Sequence, residues 1–298
     1  MISLNRLNLS VAGHHKSYSG ILAGQRTNSS LACAHLAANT NTEALLLKNE
    51  PEEIQFFEPN NSVEITAELE AQSIRLRVVH TPQRSYFSGT DATFWVAADG
   101  SHAALTHCAV NPALWLFGPA LILALARRGV YCLHASAFSD GDAASVIVGH
   151  SGAGKSTLAR AIGARQGEVR LCDDITPIAL RAGKLYVLPR FPQLKLSSVD
   201  QNLPEAVPLK RLIVLNAAQA GVVSEHQKLS QRALFDALTR HTVATRLYSA
   251  TDTQLWWHQL PQIMAAIADA RALRPSFDAH APEHAMLVAL KSLDDLCG

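Results

Sequence analysis

Cysteine is scarce in this chain and poorly placed for joint work. The 298 residues include 5 cysteines (Cys33, Cys108, Cys132, Cys172 and Cys297) with no C-x-x-C pair among them. An odd, scattered set suggests neither a zinc site nor a disulfide framework, and reads as reduced thiols in a cytoplasmic protein. Charge of one sign is also missing. With 26 Lys+Arg against 25 Asp+Glu and no long basic block, nothing marks nucleic acid as a partner. The most apolar stretch, Ala113 to Ala126, is too short to cross a bilayer and is interrupted by Gly118-Pro119. It reads as a buried helix closed by Arg127-Arg128-Gly129. The segment Met1 to Arg6 lacks the apolar run of a signal peptide, so neither a membrane nor a secretory route is expected. Internal repeats and low-complexity linkers are absent as well.

What is present divides into two parts. Residues 1–108 alternate apolar and polar side chains over Leu4 to Val11, Val63 to Ala67 and Ile74 to Val78, as half-buried strands do. Thr93 to Ala97, the turn Asp99-Gly100 and Ala103 to Leu105 form a predicted hairpin. This part is predicted to be a small, mostly antiparallel β unit for substrate or partner recognition. From residue 109 to 298 the pattern is α/β: a helix over 112–127, a strand Val130 to Leu133, and a strand Ala144 to Val148. Further strands are expected at Glu168 to Cys172 and Leu212 to Leu215, with a hairpin over 178–188 between them. Helical spacing covers Ser230 to Thr239 and Leu255 to Leu273.

One segment carries explicit chemistry. Gly149-His150-Ser151-Gly152-Ala153-Gly154-Lys155-Ser156 fits G-x-x-x-x-G-K-[ST], with a buried strand before it and helical spacing from Thr157 onward. The glycines let backbone N–H groups turn toward phosphate oxygens, and the helix start adds partial positive charge. Lys155 is then placed to reach the β and γ phosphates, and the Ser156 hydroxyl to bind Mg²⁺. A nucleoside triphosphate is the expected ligand.

Asp173-Asp174 follows the next strand. One carboxylate at such a strand end suits Mg²⁺, and a second suits removal of a proton from an attacking hydroxyl. The competing reading is a solvated turn. His134 follows the strand Val130 to Leu133, which could bring it beside the phosphates to orient an aspartate or meet phosphate oxygens. A lone histidine is more often structural.

Leu133-His134-Ala135-Ser136-Ala137, the loop 149–156 and Cys172-Asp173-Asp174 together resemble the catalytic core of the HPr kinase/phosphorylase family over residues 112–215. The resemblance implies a phosphoenolpyruvate-carboxykinase-like α/β domain, ATP and Mg²⁺ as cofactors, and transfer of phosphate to a serine hydroxyl of a protein or peptide. By position His134 is the implied active-site histidine, while Lys155 and Ser156 serve phosphate and metal. Asp173 and Asp174 supply the base and the metal carboxylate in an order the match leaves open. Thr157 stands where HPr kinases carry an acidic residue, and their glycine-rich downstream signature has no counterpart. Instead Leu188-Pro189-Arg190-Phe191-Pro192-Gln193-Leu194-Lys195-Leu196 resembles the shorter HPr-kinase-related peptide kinases, lasso-peptide kinases among them. Arg190 and Lys195 thereby become candidates for steadying transferred phosphate charge, against a reading as exposed residues on a hairpin edge. Such relatives are often oligomeric, so a homo-oligomer is compatible with the resemblance.

Three other readings compete with this one. A transporter ATPase needs a glycine-rich signature that Lys228-Leu229-Ser230-Gln231-Arg232 lacks, and an acidic pair much farther downstream. A small-molecule kinase acting on free serine or another alcohol would use the same residues. A nucleotide-binding regulator would need no base. Trp256-Trp257-His258 and His14-His15 read as structural, the tryptophans as buried in a helix.

Overall fold

The computed structural model describes residues 63–69, 72–109, 112–139, 141–155, 157–158, 169–189, 191, 203–218, 225–276 and 288, with the backbone of four earlier strands. Those four are β1 (Arg6–Leu9), β2 (Ser17–Leu22), β3 (Gln25–Ser30) and β4 (Leu45–Asn49). They are followed by β5 (Val63–Leu69), β6 (Gln72–His80), β7 (Arg84–Ser88), β8 (Ala92–Ala97) and β9 (His102–Cys108), then α1 (Pro112–Trp115) and α2 (Leu121–Arg127). Next come β10 (Val130–Ser139), β11 (Ala144–Gly149), β12 (Val169–Cys172), β13 (Ile175–Arg181), β14 (Lys184–Val187) and β15 (Val207–Leu215). The chain continues through β16 (Glu225–Lys228), α3 (Gln231–His241), α4 (Ala250–Ala266) and β17 (Asp269–Arg274). No helix among the described residues is long and apolar enough to cross a membrane.

The chain forms two compact units, Met1–Tyr131 with Val243–His258, and Cys132–Thr242 with Gln259–Gly298. The predicted boundary at 108/109 placed the 112–127 helix downstream. Instead it packs against β8 and β9 and belongs to the first unit.

The first unit holds nine strands in the order β2-β3-β1-β4-β9-β8-β7-β6-β5. β5 to β9 are antiparallel neighbours, but β1 pairs in parallel with β3 and β4, and β4 with β9. Period-2 burial on β7 puts Phe87 in the core, stacked 4.7 Å from Phe94. The predicted helix over 112–127 is broken. Gly118 takes φ −86° and ψ −112°, and Pro119 after it has no N–H to give the preceding turn. Beyond the break every residue from Leu121 to Ala126 is buried.

A buried cation closes α2. The Arg127 guanidinium donates through Nε and Nη2 to both oxygens of Asp252, each at 3.0 Å, and through Nη1 to the carbonyls of Val96 and Ala97. Asp252 also accepts from the Ser249 backbone N–H, while the Ser249 hydroxyl accepts from the Asp252 N–H, a reciprocal cap on α4. Burial works against the Asp252 charge. The hydrogen bonds and charge of Arg127, with those of Ser249, outweigh it and hold the carboxyl below the usual range.

The second unit is built on β11, β15 and β17, which run parallel, with Val146 to Val148 of β11 fully buried. β10 returns antiparallel on the other side of β11. Pairing then passes from β10 through β13 and β14 back to β15, so five strands close a circuit. The turn of the β13–β14 hairpin is Ala182-Gly183, both with positive φ, which matches the twist of the paired strands. α4 ends at Ala266, where the sequence predicted helix to Leu273. Residues 269–274 pair instead with β15 and β16, because an open strand edge outweighs local helical spacing.

Candidate functional site

The loop at the end of β11 is held from three sides. Gly149 lies so close to β15 that a Cβ there would meet the Leu215 carbonyl at 2.5 Å. Ala153 packs into a core cluster with Phe138, Ile147, Leu158 and Ile213. The Ala153 N–H closes a turn on the His150 carbonyl at 3.1 Å, and Leu158 N–H bonds the Gly154 carbonyl at 2.9 Å, which starts the helix. Gly152 and Gly154 take φ of 81° and 97°, conformations that admit a tight, N–H-lined turn. Ser151 and Gly152 are exposed and Thr157 is half-buried.

Lys155 sits inside this turn at 8% exposure. Its Nζ donates to the carbonyls of Gly149 at 2.8 Å and His150 at 3.1 Å. Burial lowers its pKa, opposed by the negative charge of Asp174 and then Asp173. That opposition places both aspartates within electrostatic reach of the loop lysine.

The aspartates occupy a bend between β12 and β13. Asp174 has φ 78°, left-handed backbone for a residue with a side chain. β10 holds this bend. The Ala135 N–H bonds the Asp174 carbonyl at 3.2 Å, and the buried Thr176 hydroxyl donates to the Ala135 carbonyl at 2.9 Å. His134 Nδ1 lies 3.3 Å from Asp174 Oδ1, and the Ser136 hydroxyl donates to Asp173 Oδ1 at 2.8 Å. Arg170 Nη1 stands 3.9 Å from Asp173 Oδ2. Because β10 extends to Ser139, His134 is inside the strand and not after it. The structure therefore brings together Lys155, His134, Asp173 and Asp174.

Sequence reasoning missed the last turn of α3. Arg240 Nη1 is 3.3 Å from His150 Nε2, and the His241 ring stands edge-on to that of His150 with centroids 6.3 Å apart. Burial, then the charge of Lys155, His134, His150 and Arg240, pulls the His241 pKa down to about 4. The sequence signal for this pair was weak: two basic residues ending an amphipathic helix, a common C-terminal preference. Ser136 stands in the sequence only as one letter of the Leu133–Ala137 motif, and its partner lies 37 positions away.

Ser156, Arg190 and Lys195 lie outside the described residues, as do His14 and His15. Trp256 is buried at 3% exposure, but Trp257 is 48% exposed because consecutive helical residues cannot share one face. Cys132 and Cys172 are free, buried thiols, with burial pushing Cys172 up to about 12. Among the described residues no group of three or more His, Cys, Asp or Glu side chains forms a self-sufficient metal site. Two adjacent carboxylates suit Mg²⁺ in the manner of nucleotide sites, where phosphates and water complete the shell.

No protein-family model matches the chain. No curated protein matches it either. Among solved structures, the HPr(Ser) kinase/phosphatase from Coxiella burnetii is similar over 56% of this chain and 99% of its own, at 10% identity and a TM-score of 0.28.

Proposed function

We propose that the second unit is an ATP- and Mg²⁺-dependent kinase that transfers the γ-phosphate to a serine hydroxyl of a protein or peptide. The carrying observation is the pair Asp173 and Asp174, set at one bend, within electrostatic reach of Lys155 and gripped by neighbouring positions of β10. Binding alone needs no second carboxylate. Transfer to a hydroxyl does, because its proton must leave as the oxygen attacks. When bound, Mg²⁺ supplies charge neutralisation across the phosphate oxygens.

The remaining work falls to this chain. Lys155 exchanges its carbonyl partners for phosphate oxygens, while the loop N–H groups receive the rest. Ser156 and one aspartate hold the metal. The other aspartate takes the acceptor proton, with His134 fixing the Asp174 side of the pair. The parallel pair β11 and β15, the phosphate loop after β11 and the carboxylates at the β12–β13 bend beside β10 support a phosphoenolpyruvate-carboxykinase-like reading of the domain. Incubation with γ-labelled ATP and Mg²⁺, offering HPr, free serine and serine-containing peptides in parallel, tests the reading. Label on a polypeptide serine supports it. Label only on free serine redirects it to a small-molecule kinase, and bound ATP without transfer to a regulator.

A further inference from the structure

Ser136 has a feature that packing does not explain. It is 0% exposed, lies between Ala135 and Ala137 on β10, and faces Ile147 across the β10–β11 ladder. Small apolar residues fill the adjacent positions, and alanine would fill this one. A buried hydroxyl is unfavourable unless it is hydrogen-bonded, and here the bond goes to a carboxylate, at 2.8 Å.

The strand's period gives the arrangement its logic. His134 and Ser136 are two residues apart and so share a face, while Ala135 points the other way. His134 addresses Asp174 and Ser136 addresses Asp173. Meanwhile the backbone of Ala135 fastens the bend itself, through the Asp174 carbonyl and the Thr176 hydroxyl. One rigid strand thus fixes each carboxylate by a separate side chain and the peptide unit between them by its main chain. Ser136 takes Oδ1 of Asp173 while Arg170 stands 3.9 Å from Oδ2, so both oxygens have a neighbour that favours one setting of the carboxylate.

We propose that Ser136 is a positioning residue for phosphoryl transfer: it holds the Asp173 carboxylate in the one orientation the reaction uses. The inference rests on the kinase reading above. Misorientation of an aspartate leaves nucleotide binding at the loop intact and slows the transfer step alone.

The test compares Ser136→Ala, Ser136→Cys and Asp173→Asn, in the full chain, by steady-state kinetics with a peptide acceptor, ATP-analogue titration and thermal unfolding. For Ser136→Ala the expected result is a kcat lower by about 10–100-fold, the size of effect that follows loss of a partner orienting a reactive side chain. The ATP-analogue Kd stays within about twofold and the melting midpoint within a few degrees. Ser136→Cys, a weak donor, recovers part of the rate. If Asp173→Asn is inactive while Ser136→Ala keeps the wild-type kcat, the positioning role is wrong and the kinase reading survives. Loss of kcat, nucleotide affinity and melting point together in Ser136→Ala also overturns it, in favour of a structural role. Wild-type transfer by Asp173→Asn overturns the kinase reading instead.

Discussion

Asp174 offers a perturbation in which stability and activity separate. Its φ of 78° lies in the left-handed region. A residue with a Cβ and no local hydrogen bond is disfavoured there by about 1–2 kcal/mol relative to glycine. Glycine also gains freedom in the unfolded chain, which returns about 0.4–1 kcal/mol. Asp174→Gly is therefore expected to be more stable than Asp174→Ala by roughly 1 kcal/mol. The wild type falls close to the glycine variant, because aspartate tolerates this backbone and its pairing with His134, at 39% and 30% exposure, is worth at most about 1 kcal/mol. All three are measured by urea unfolding, followed through a probe in the second unit. Transfer of γ-labelled phosphate is measured alongside and should be absent from both variants. Equal stability of the alanine and glycine variants would refute the strained bend. A glycine variant that still transfers phosphate would refute the role of the Asp174 carboxylate.

Lys155→Ala is expected to raise the Kd for ATP by about 10-fold or more, the loss of a charge-assisted contact, as read by titration with a fluorescent analogue. Unchanged affinity would count against the loop as the phosphate site. Asp252→Ala should destabilise the first unit by about 3–5 kcal/mol, since the buried Arg127 loses its counter-charge. In the wild type the depressed Asp252 pKa contributes stability above the ordinary value of 3.8, and that contribution is lost as the pH falls through the lower folded value. A first unit whose acid unfolding is identical in wild type and Asp252→Asn would contradict this. His241, lowered from 6.5 to about 4, stays neutral in the folded chain where the unfolded chain binds a proton. Stability of the second unit should fall as pH drops across that interval, and His241→Gln should flatten the fall in a pH series of denaturation curves.

Local pattern made the elements around the loop legible. The buried run into Gly149, the Ala182-Gly183 hairpin and the helix expected over Ser230 to Thr239 depend on residues close in sequence, and each appears where the spacing put it. Pairing between distant strands did not show. Whether 269–274 continues a helix or joins a sheet depends on an open edge of β15, which no window of sequence contains. The same holds for the domain boundary: 112–127 reads as a buried helix from its own residues, but which sheet buries it is a tertiary fact. Its break at Gly118-Pro119 was visible as letters, and only the backbone shows that the helix yields there.

The candidate site divides along the same line. Lys155, Asp173 and Asp174 stand out in the sequence because phosphate binding and proton removal require those residue types near strand ends, so chemistry singles them out as candidates without any fold. His134 needed a resemblance, since a histidine on an apolar strand is ordinarily structural. Arg240, His241 and Ser136 meet the candidate site through contacts across the fold, and little in their own neighbourhoods distinguishes them. Ser136 nevertheless had a faint signal: a hydroxyl at a strand position flanked by alanines, where an all-apolar strand would have packed as well. Buried polar residues persist where a partner holds them, and the partner here is a carboxylate that the chemistry had already singled out.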